Sequence, residues 1–361
     1  MPTPSIATGP DQIDADWMTA ALRASGALPE GRVADMVVTP VGNGLLGDSF
    51  RFALTYDAAP EGAPASVVGK FPAVDPTSKA SGAALGLYVR EVSFYRELAH
   101  TVGIITPKPH VAAIDPETHD FTLIFEDFGP ARPGDQLAGC SVADAEIAVL
   151  EAAALHAPHW GKDSLADIPW LNSGEGTMTM VSTMLPAIIA GFKDRYDGQL
   201  EPELLGLVDR LPAVMTAMRA DRTSPPTVTH GDFRLDNVLF DIQGGTRRMG
   251  TLDWQTPAVG PGVNDVAYFL SAGLSPQERR EHERDLVARY HGELTRLGVG
   301  GYGLDQCWTD YRRFSVSGLF TGLFSAMVVE RTDRGDALFL KMVRGGGLQA
   351  LDHKTFDFWD A

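Results

Sequence analysis

Two-residue alternation of apolar side chains fills the first third of this chain, and helical spacing takes over afterwards. That switch restricts the fold more than any other feature. "SFRFALTY" sets Phe50, Phe52, Leu54 and Tyr56 alternately with Arg51, Ala53 and Thr55, the period of a half-buried strand. "ASVVGKF" is a short β-branched run ending at Lys70 and Phe71, and the "DAAPEGAPA" between them has the composition of a turn. "LGLYVREVSFYRELAH" has helical spacing, and "FTLIFEDFG" is a further strand, apolar on both faces. From about residue 140 come "VADAEIAVLEAAALHAPHW", "TMLPAIIAGFKDRY" and "ELLGLVDRLPAVMTAMRA", all helical, broken only by two strand-like pieces, "PTVTHGDFRLDNVLF" and "RRMGTLDWQ". Helices resume at "VNDVAYFL". The pattern predicts an α+β chain with a small β-rich part, residues 1–126, and a larger mainly helical part, residues 127–361. The break falls near "EDFGPAR". Ligands often bind where two such parts meet.

At 361 residues the chain can bury a sizeable core. A net charge of −17 argues against nucleic acid as a partner, because phosphate binding needs a basic face. Cys140 and Cys307 belong to no CxxC or Cys/His cluster, which argues against structural zinc, and two scattered thiols fit a reducing cytosol. The acidic "MPTPSIATGPDQIDADW" has no apolar core of a signal peptide, and no apolar run approaches membrane-spanning length. The expectation is a cytoplasmic protein with no membrane span; the oligomeric state is not readable.

The polar stretch "THGDFRLDNVLFD" (229–241) carries the chemistry. Its His-Gly-Asp, with Asn five residues after the Asp, fits the catalytic-loop pattern HxDxxxxN of phosphoryl transfer. That reaction needs a carboxylate to orient and deprotonate a hydroxyl, a cation on the phosphates that stay behind, and hard divalent cations held by oxygen. Asp232 is the candidate base and Asn237 a candidate metal ligand. Asp253 in "TLDWQ", at the end of an apolar strand, is the candidate bidentate magnesium ligand. A simple turn would also use Asp and Asn, but three residues in matching contexts favour function. His230 has no evident proton to move and is read as a loop-base residue donating to backbone. Arg234 either reaches the γ-phosphate as a catalytic cation or is a solvated loop residue, and both readings stand. Asp236 is read as structural. Asp265 either caps the helix that it begins or accepts N–H groups of the 230–232 loop.

"VGNGLLGDSF" supplies Gly42, Gly44, Gly47 and Ser49. A strand follows instead of a helix, so the dinucleotide reading of GxGxxG fails. A glycine hairpin over nucleotide phosphates and a plain β-turn both remain. Glu91, Phe94, Tyr95 and Leu98 lie at i, i+3, i+4 and i+7, which puts Glu91 on the buried stripe while Glu97 faces away. A carboxylate on an apolar stripe needs a cation. Lys70 is the natural partner, held by the pair against α- and β-phosphates.

Together, "HGDFRLDN", "LDWQ", "NDVAYFL", Lys70 and the ExxFY helix resemble the aminoglycoside phosphotransferase and choline kinase-like superfamily, nearest its ecdysteroid-kinase-like branch. The similarity runs from about residue 38 into the "DRGDALFLKMVRGG" tail. It implies a bilobal protein-kinase-like fold, with an antiparallel sheet and one helix in the small lobe, and it implies ATP and Mg2+. It carries Asp232 over as base and Asn237 and Asp253 as metal ligands. It also implies that backbone near Glu126 and Phe128 meets the adenine edge. Trp254-Gln255 replaces Phe-Gly after the metal Asp, a departure from protein kinases but not from small-molecule kinases. "WQTPAVGPGVN" leaves no room for a peptide-docking segment or phosphosite, and no APE motif occurs. The expected activity is ATP-dependent transfer to a hydroxyl of a small molecule. A nucleotide-binding module without turnover is the alternative, and a protein kinase ranks below it. By the same resemblance, segments 160–200 and 305–345 line the acceptor pocket. Their Phe192, Tyr196, Trp308, Tyr311, Phe314, Phe320 and Phe324 fit core packing first, and otherwise an apolar, sterol-like alcohol. The acidic "DRYDGQLEPE" would suit a polycationic acceptor. The apolar acceptor is slightly favoured.

Overall fold

The computed structural model describes residues 4–42, 46–58, 60–172 and 174–359. Its residues sort into two units: Met1–Thr101 with Thr106–Pro130 and Leu252–Thr256, and Val102–Ile105 with Ala131–Thr251 and Pro257–Ala361.

The first unit is built on five antiparallel strands, β1 (Val33–Pro40), β2 (Gly47–Tyr56), β3 (Ser66–Pro72), β4 (Pro109–Ile114) and β5 (Phe121–Glu126), in the order β1-β2-β3-β5-β4. The alternation of β2 and β3 sends Phe52, Val67 and Phe71 into one core with Met18 and Leu22 of α1 (Ala15–Ala24). α1 is capped by Asp14, whose carboxylate accepts from Trp17 N–H at 2.7 Å. Sequence periodicity finds β2, β3 and β5 but not β1 and β4. Of β1 only Val33 is buried, and β4 is "PHVAAI", short in β-branched residues. Both strands are edges, where alternation is weakly enforced.

The expected helix is present as α3 (Leu87–Ser93), after α2 (Pro76–Ala84), so the unit holds more helices than the one read from sequence. α3 runs into a π turn, Phe94–Leu98, where Ala99 N–H reaches Phe94 O. In register, Lys70 of β3 stands between Ser49 of β2 and Leu123 of β5.

The second unit is mainly helical: α4 (Val142–His156), α5 (Pro169–Asn172), α6 (Gly174–Arg195), α7 (Pro202–Ala220), the short turn α8 (Ile242–Gly245), α9 (Val263–Gly273), α10 (Pro276–Arg296), α11 (Leu304–Arg313), α12 (Ser317–Val328) and α13 (Asp333–His353). Two small antiparallel ladders hold its loops, β7 (Pro226–Thr229) with β10 (Ala258–Pro261), and β6 (Arg132–Pro133) with β8 (Val238–Asp241) and β9 (Arg247–Thr251). Its core joins α6, α7, α9, α12 and α13 through Phe192, Leu211, Ala272, Leu319 and Val343. Among the described residues no helix is long and apolar enough to cross a membrane, and both cysteines are free thiols.

Candidate active site

The sequence-selected residues fall into two groups, one within each unit. In the second unit the loop between β7 and β8 is an alternating segment. Phe233, Leu235 and Asn237 are buried, and Asp232, Arg234 and Asp236 between them are partly open. Phe233 packs on Phe269 of α9 with ring centroids 5.3 Å apart, so apolar anchoring aims three charged side chains one way. Gly231 has φ +80°, a conformation that glycine adopts without a side-chain clash, and it supplies the sharp bend before Asp232.

Asp265 fixes the backbone of that bend. Its carboxylate accepts from His230 N–H at 2.7 Å and Gly231 N–H at 3.1 Å, with His156 Nε2 at 3.2 Å. Of its two possible roles, the structure therefore has the second, support of the 230–232 loop. Because a carboxylate only accepts, His156 donates from Nε2, and its Nδ1 takes the Tyr290 hydroxyl at 2.9 Å. Gly262 allows this contact, since a Cβ there would lie 2.7 Å from the His156 ring. His230 is fully buried in the loop base, as read from sequence, but its Nδ1 accepts from Asp232 N–H at 3.2 Å. Asp236 is structural: it accepts from Gln136 N–H at 2.8 Å, while Gln136 Oε1 takes Leu235 N–H at 2.8 Å.

Asp232 itself, 25% exposed, has three donors. Asn237 Nδ2 (2.8 Å) and Arg234 Nε (3.1 Å) meet Oδ2, and the Tyr268 hydroxyl (2.8 Å) meets Oδ1. Asn237 Nδ2 also bonds Asp232 O at 2.8 Å, so the amide turns its oxygen the other way. Arg234 bridges Asp232 and Asp236, the latter at 2.6 Å. Burial disfavours its charge, but Asp232 and Asp236 outweigh burial and hold the guanidinium firmly protonated. Burial, reinforced by Asp232, raises Tyr268 well above the usual phenol range, so it remains a donor. Tyr268, Gln136 and His156 are the site residues that motif spacing misses. For Tyr268 a signal existed: it lies three residues after Asp265, on the same face of α9.

In the first unit Lys70 Nζ lies 2.8 Å from Glu91 Oε1 and 2.8 Å from Asp253 Oδ1. The pairing expected from the helix stripe is present, and Asp253 joins it. Glu91 is 1% exposed and Asp253 36%. Burial works against the ammonium, but Asp253 and Glu91 outweigh it and raise Lys70 above the ordinary lysine range. Asp253 sits at φ +62°, the left-handed region that Asp tolerates better than most residues. Next to it Trp254 is fully buried and stacks on Phe94, 3.8 Å between centroids and 7° between planes. Gly47 packs tightly here, as a Cβ would lie 3.1 Å from Phe71 O and 3.3 Å from Lys70 Cε.

The glycine-rich segment joins β1 to β2, with Val41 N–H on Ser49 O at 2.9 Å and Gly42 at φ +77°. Gly44 lies outside the described residues. Glu126 N–H is engaged by Lys108 O at 2.9 Å, and the Phe128 side chain is buried. Of the C-terminal aromatics, Phe192, Tyr196, Tyr311 and Phe314 are core, whereas Phe320 and Phe324 stack half-buried on α12. Trp308 packs on Tyr311 and His353.

Asn237 in the second unit and Asp253 in the first each carry side-chain oxygen, the ligand type that hard divalent cations take. Among the described residues no cluster of three or more His, Cys, Asp or Glu could hold a metal by itself. Magnesium binds through one or two protein groups together with phosphate oxygens.

The sequence model of the ecdysteroid kinase-like family matches residues 164–298. No curated protein matches the chain. Among solved structures, the ADP-bound aminoglycoside phosphotransferase APH(2'')-Ib is similar over 88% of this chain and 94% of its own, at 14% identity and a TM-score of 0.50. The GDP complex of aminoglycoside 2'-phosphotransferase-IIIa covers 93% and 99%, at 15% identity and a TM-score of 0.52. A choline kinase from Cryptosporidium parvum Iowa II covers 90% and 93%, at 14% identity and 0.53. At such identities the likeness is one of fold, and the fold is kinase-like. Family model and folds fall in the superfamily that the motifs resemble.

Proposed function

We propose that the chain is an ATP-dependent phosphotransferase that moves the γ-phosphoryl group to a hydroxyl of a small molecule. The observation that carries this reading is Lys70. It is a largely buried lysine on a β-strand, ion-paired to a helix carboxylate and to the Asp253 carboxylate. Two acids hold this lysine charged and extended, the state that a phosphate-binding lysine needs, and the partly exposed one leaves the site open to a ligand.

In this reading Lys70 binds the α- and β-phosphates, with Glu91 keeping it in place. Asn237 and Asp253 hold magnesium, which offsets phosphate charge when bound. Asp232 accepts the acceptor's hydroxyl proton as the new O–P bond forms and the bond to the β-phosphate oxygen breaks. Arg234, now paired with Asp232 and Asp236, is the cation available to the transferred group. Gly42, Gly47 and Ser49 lie beside the phosphates, and backbone beside Phe128 takes the adenine edge. A small acceptor is supported by the nine residues between Asp253 and α9, four of which are the β10 ladder strand, so no peptide-docking segment fits.

The test is thermal shift and ATP consumption over hydroxylated metabolites, sterols and aminoglycosides with magnesium. Mg-ATP at about a hundred times its Kd should stabilise the protein by roughly 2.7 kcal/mol. At least one alcohol should yield a phosphorylated product, with Asp232→Asn slowing it about 10²–10⁴-fold while keeping the nucleotide shift. Absence of any Mg-ATP shift in the wild-type protein refutes the proposal.

A further inference from the structure

Tyr268 is 3% exposed and belongs to the apolar cluster that α9 shares with α12 and α13. A phenol hydroxyl in such a place is costly unless bonded. Its partner is not backbone but Asp232 Oδ1, at 2.8 Å. A carboxylate offers four lone-pair positions. Asn237 and Arg234 occupy both on Oδ2, and Tyr268 occupies one on Oδ1. Among the described residues, the single position left lies on the oxygen that Tyr268 holds.

We propose that Tyr268 is a positioning residue that sets the plane of the Asp232 carboxylate and thereby selects the one lone pair presented to the acceptor hydroxyl. Asp265 and Tyr268, one turn apart on α9, then fix the loop twice: the first its backbone, the second its base. α9 is itself tied down, by Ser317 to Asn264 and by Gln349 Nε2 to Ala267 O at 3.2 Å. Without the phenol, both positions on Oδ1 open and the carboxylate can turn about its own bond, so fewer encounters with the hydroxyl are aligned for transfer. Tyr268 touches neither substrate nor phosphate in this role and acts through Asp232.

This inference rests on the phosphotransferase reading. The experiment uses the full chain with Mg-ATP and water as the acceptor probe, following phosphate release. Tyr268→Phe keeps the ring and deletes one hydroxyl. Its kcat should fall about ten- to a hundredfold with KM for ATP unchanged within about twofold, the split expected when only alignment is lost. Added to Asp232→Asn, it should cause no further loss, because the base it positions is already gone. Unchanged kcat in Tyr268→Phe, or an equal further loss on the Asp232→Asn background, overturns the proposal. So does a fall in melting temperature as large as that of Tyr268→Ala, which would make the residue core alone. A wild-type protein that shows no Mg-ATP thermal shift and releases no phosphate instead overturns the phosphotransferase reading, and this inference with it.

Discussion

Lys70 is where single-residue energetics can be separated from function. Glu91 is almost wholly out of water, so Lys70→Met leaves a buried carboxylate without its cation. The expected cost is about 3–5 kcal/mol of unfolding free energy in urea. Lys70→Met with Glu91→Leu should recover most of that stability and still give no Mg-ATP thermal shift. Recovery of the shift would remove Lys70 from nucleotide binding. The Lys70–Glu91 pair was legible because both residues lie in strongly periodic segments. The bond from Lys70 to Asp253 was not, since it links residues 183 apart and depends on a left-handed backbone that no pattern marks. Tyr268 was hidden for another reason: inside "DVAYFL" it reads as one more apolar helix residue.

At the scale of elements, α13 illustrates how packing overrides propensity. Gly345, Gly346 and Gly347 sit inside a 21-residue helix, although each glycine costs about 0.5–1 kcal/mol relative to Ala in a helix interior. A Cβ on Gly346 would lie 2.2 Å from Leu319 N of α12, and one on Gly345 2.3 Å from Ser271 O of α9. The backbones touch, so α9 and its loop-holding Asp265 and Tyr268 are braced by close helix approach. Gly346→Ala should therefore destabilise despite the better helix former, by about 1–3 kcal/mol or more, measured by urea unfolding. A neutral or stabilising result would mean that α12 and α13 separate freely. The helices of the second unit were legible from their spacing, as were β2, β3 and β5. The edge strands β1 and β4 were not, because burial on one face is what writes alternation into a sequence. Most of the aromatics in α6 and α11 serve the core, the ordinary use of helical aromatics, which leaves the acceptor's chemistry unwritten in them.

For the molecule as a whole, the acid limit of stability has an identifiable contributor. His110 of β4 is pushed down to about 4, first by burial and then by the Lys108 charge. The unfolded chain takes up that proton near pH 6.5, and the folded chain only near 4. The unfolded state thus binds more protons within this window, so the contribution is complete above about pH 6.5 and is lost as pH falls toward 4. His110→Gln should flatten the decline of melting temperature between these limits relative to wild type, and parallel curves would exclude His110 as a cause. The surplus of acids behind the −17 charge titrates alike in both proteins and cancels in the comparison.

Connectivity has a consequence of its own. The chain passes from one unit to the other at 101/102, 105/106, 130/131, 251/252 and 256/257. Five residues from deep in the sequence, Leu252–Thr256, therefore complete a unit whose other members all precede residue 131. An N-terminal fragment would lack Trp254, bare the face of Phe94 and strip Lys70 of one acid. Swapping this unit between relatives consequently calls for three grafts rather than one, and a chimaera joined at a single seam inherits a mismatched plug.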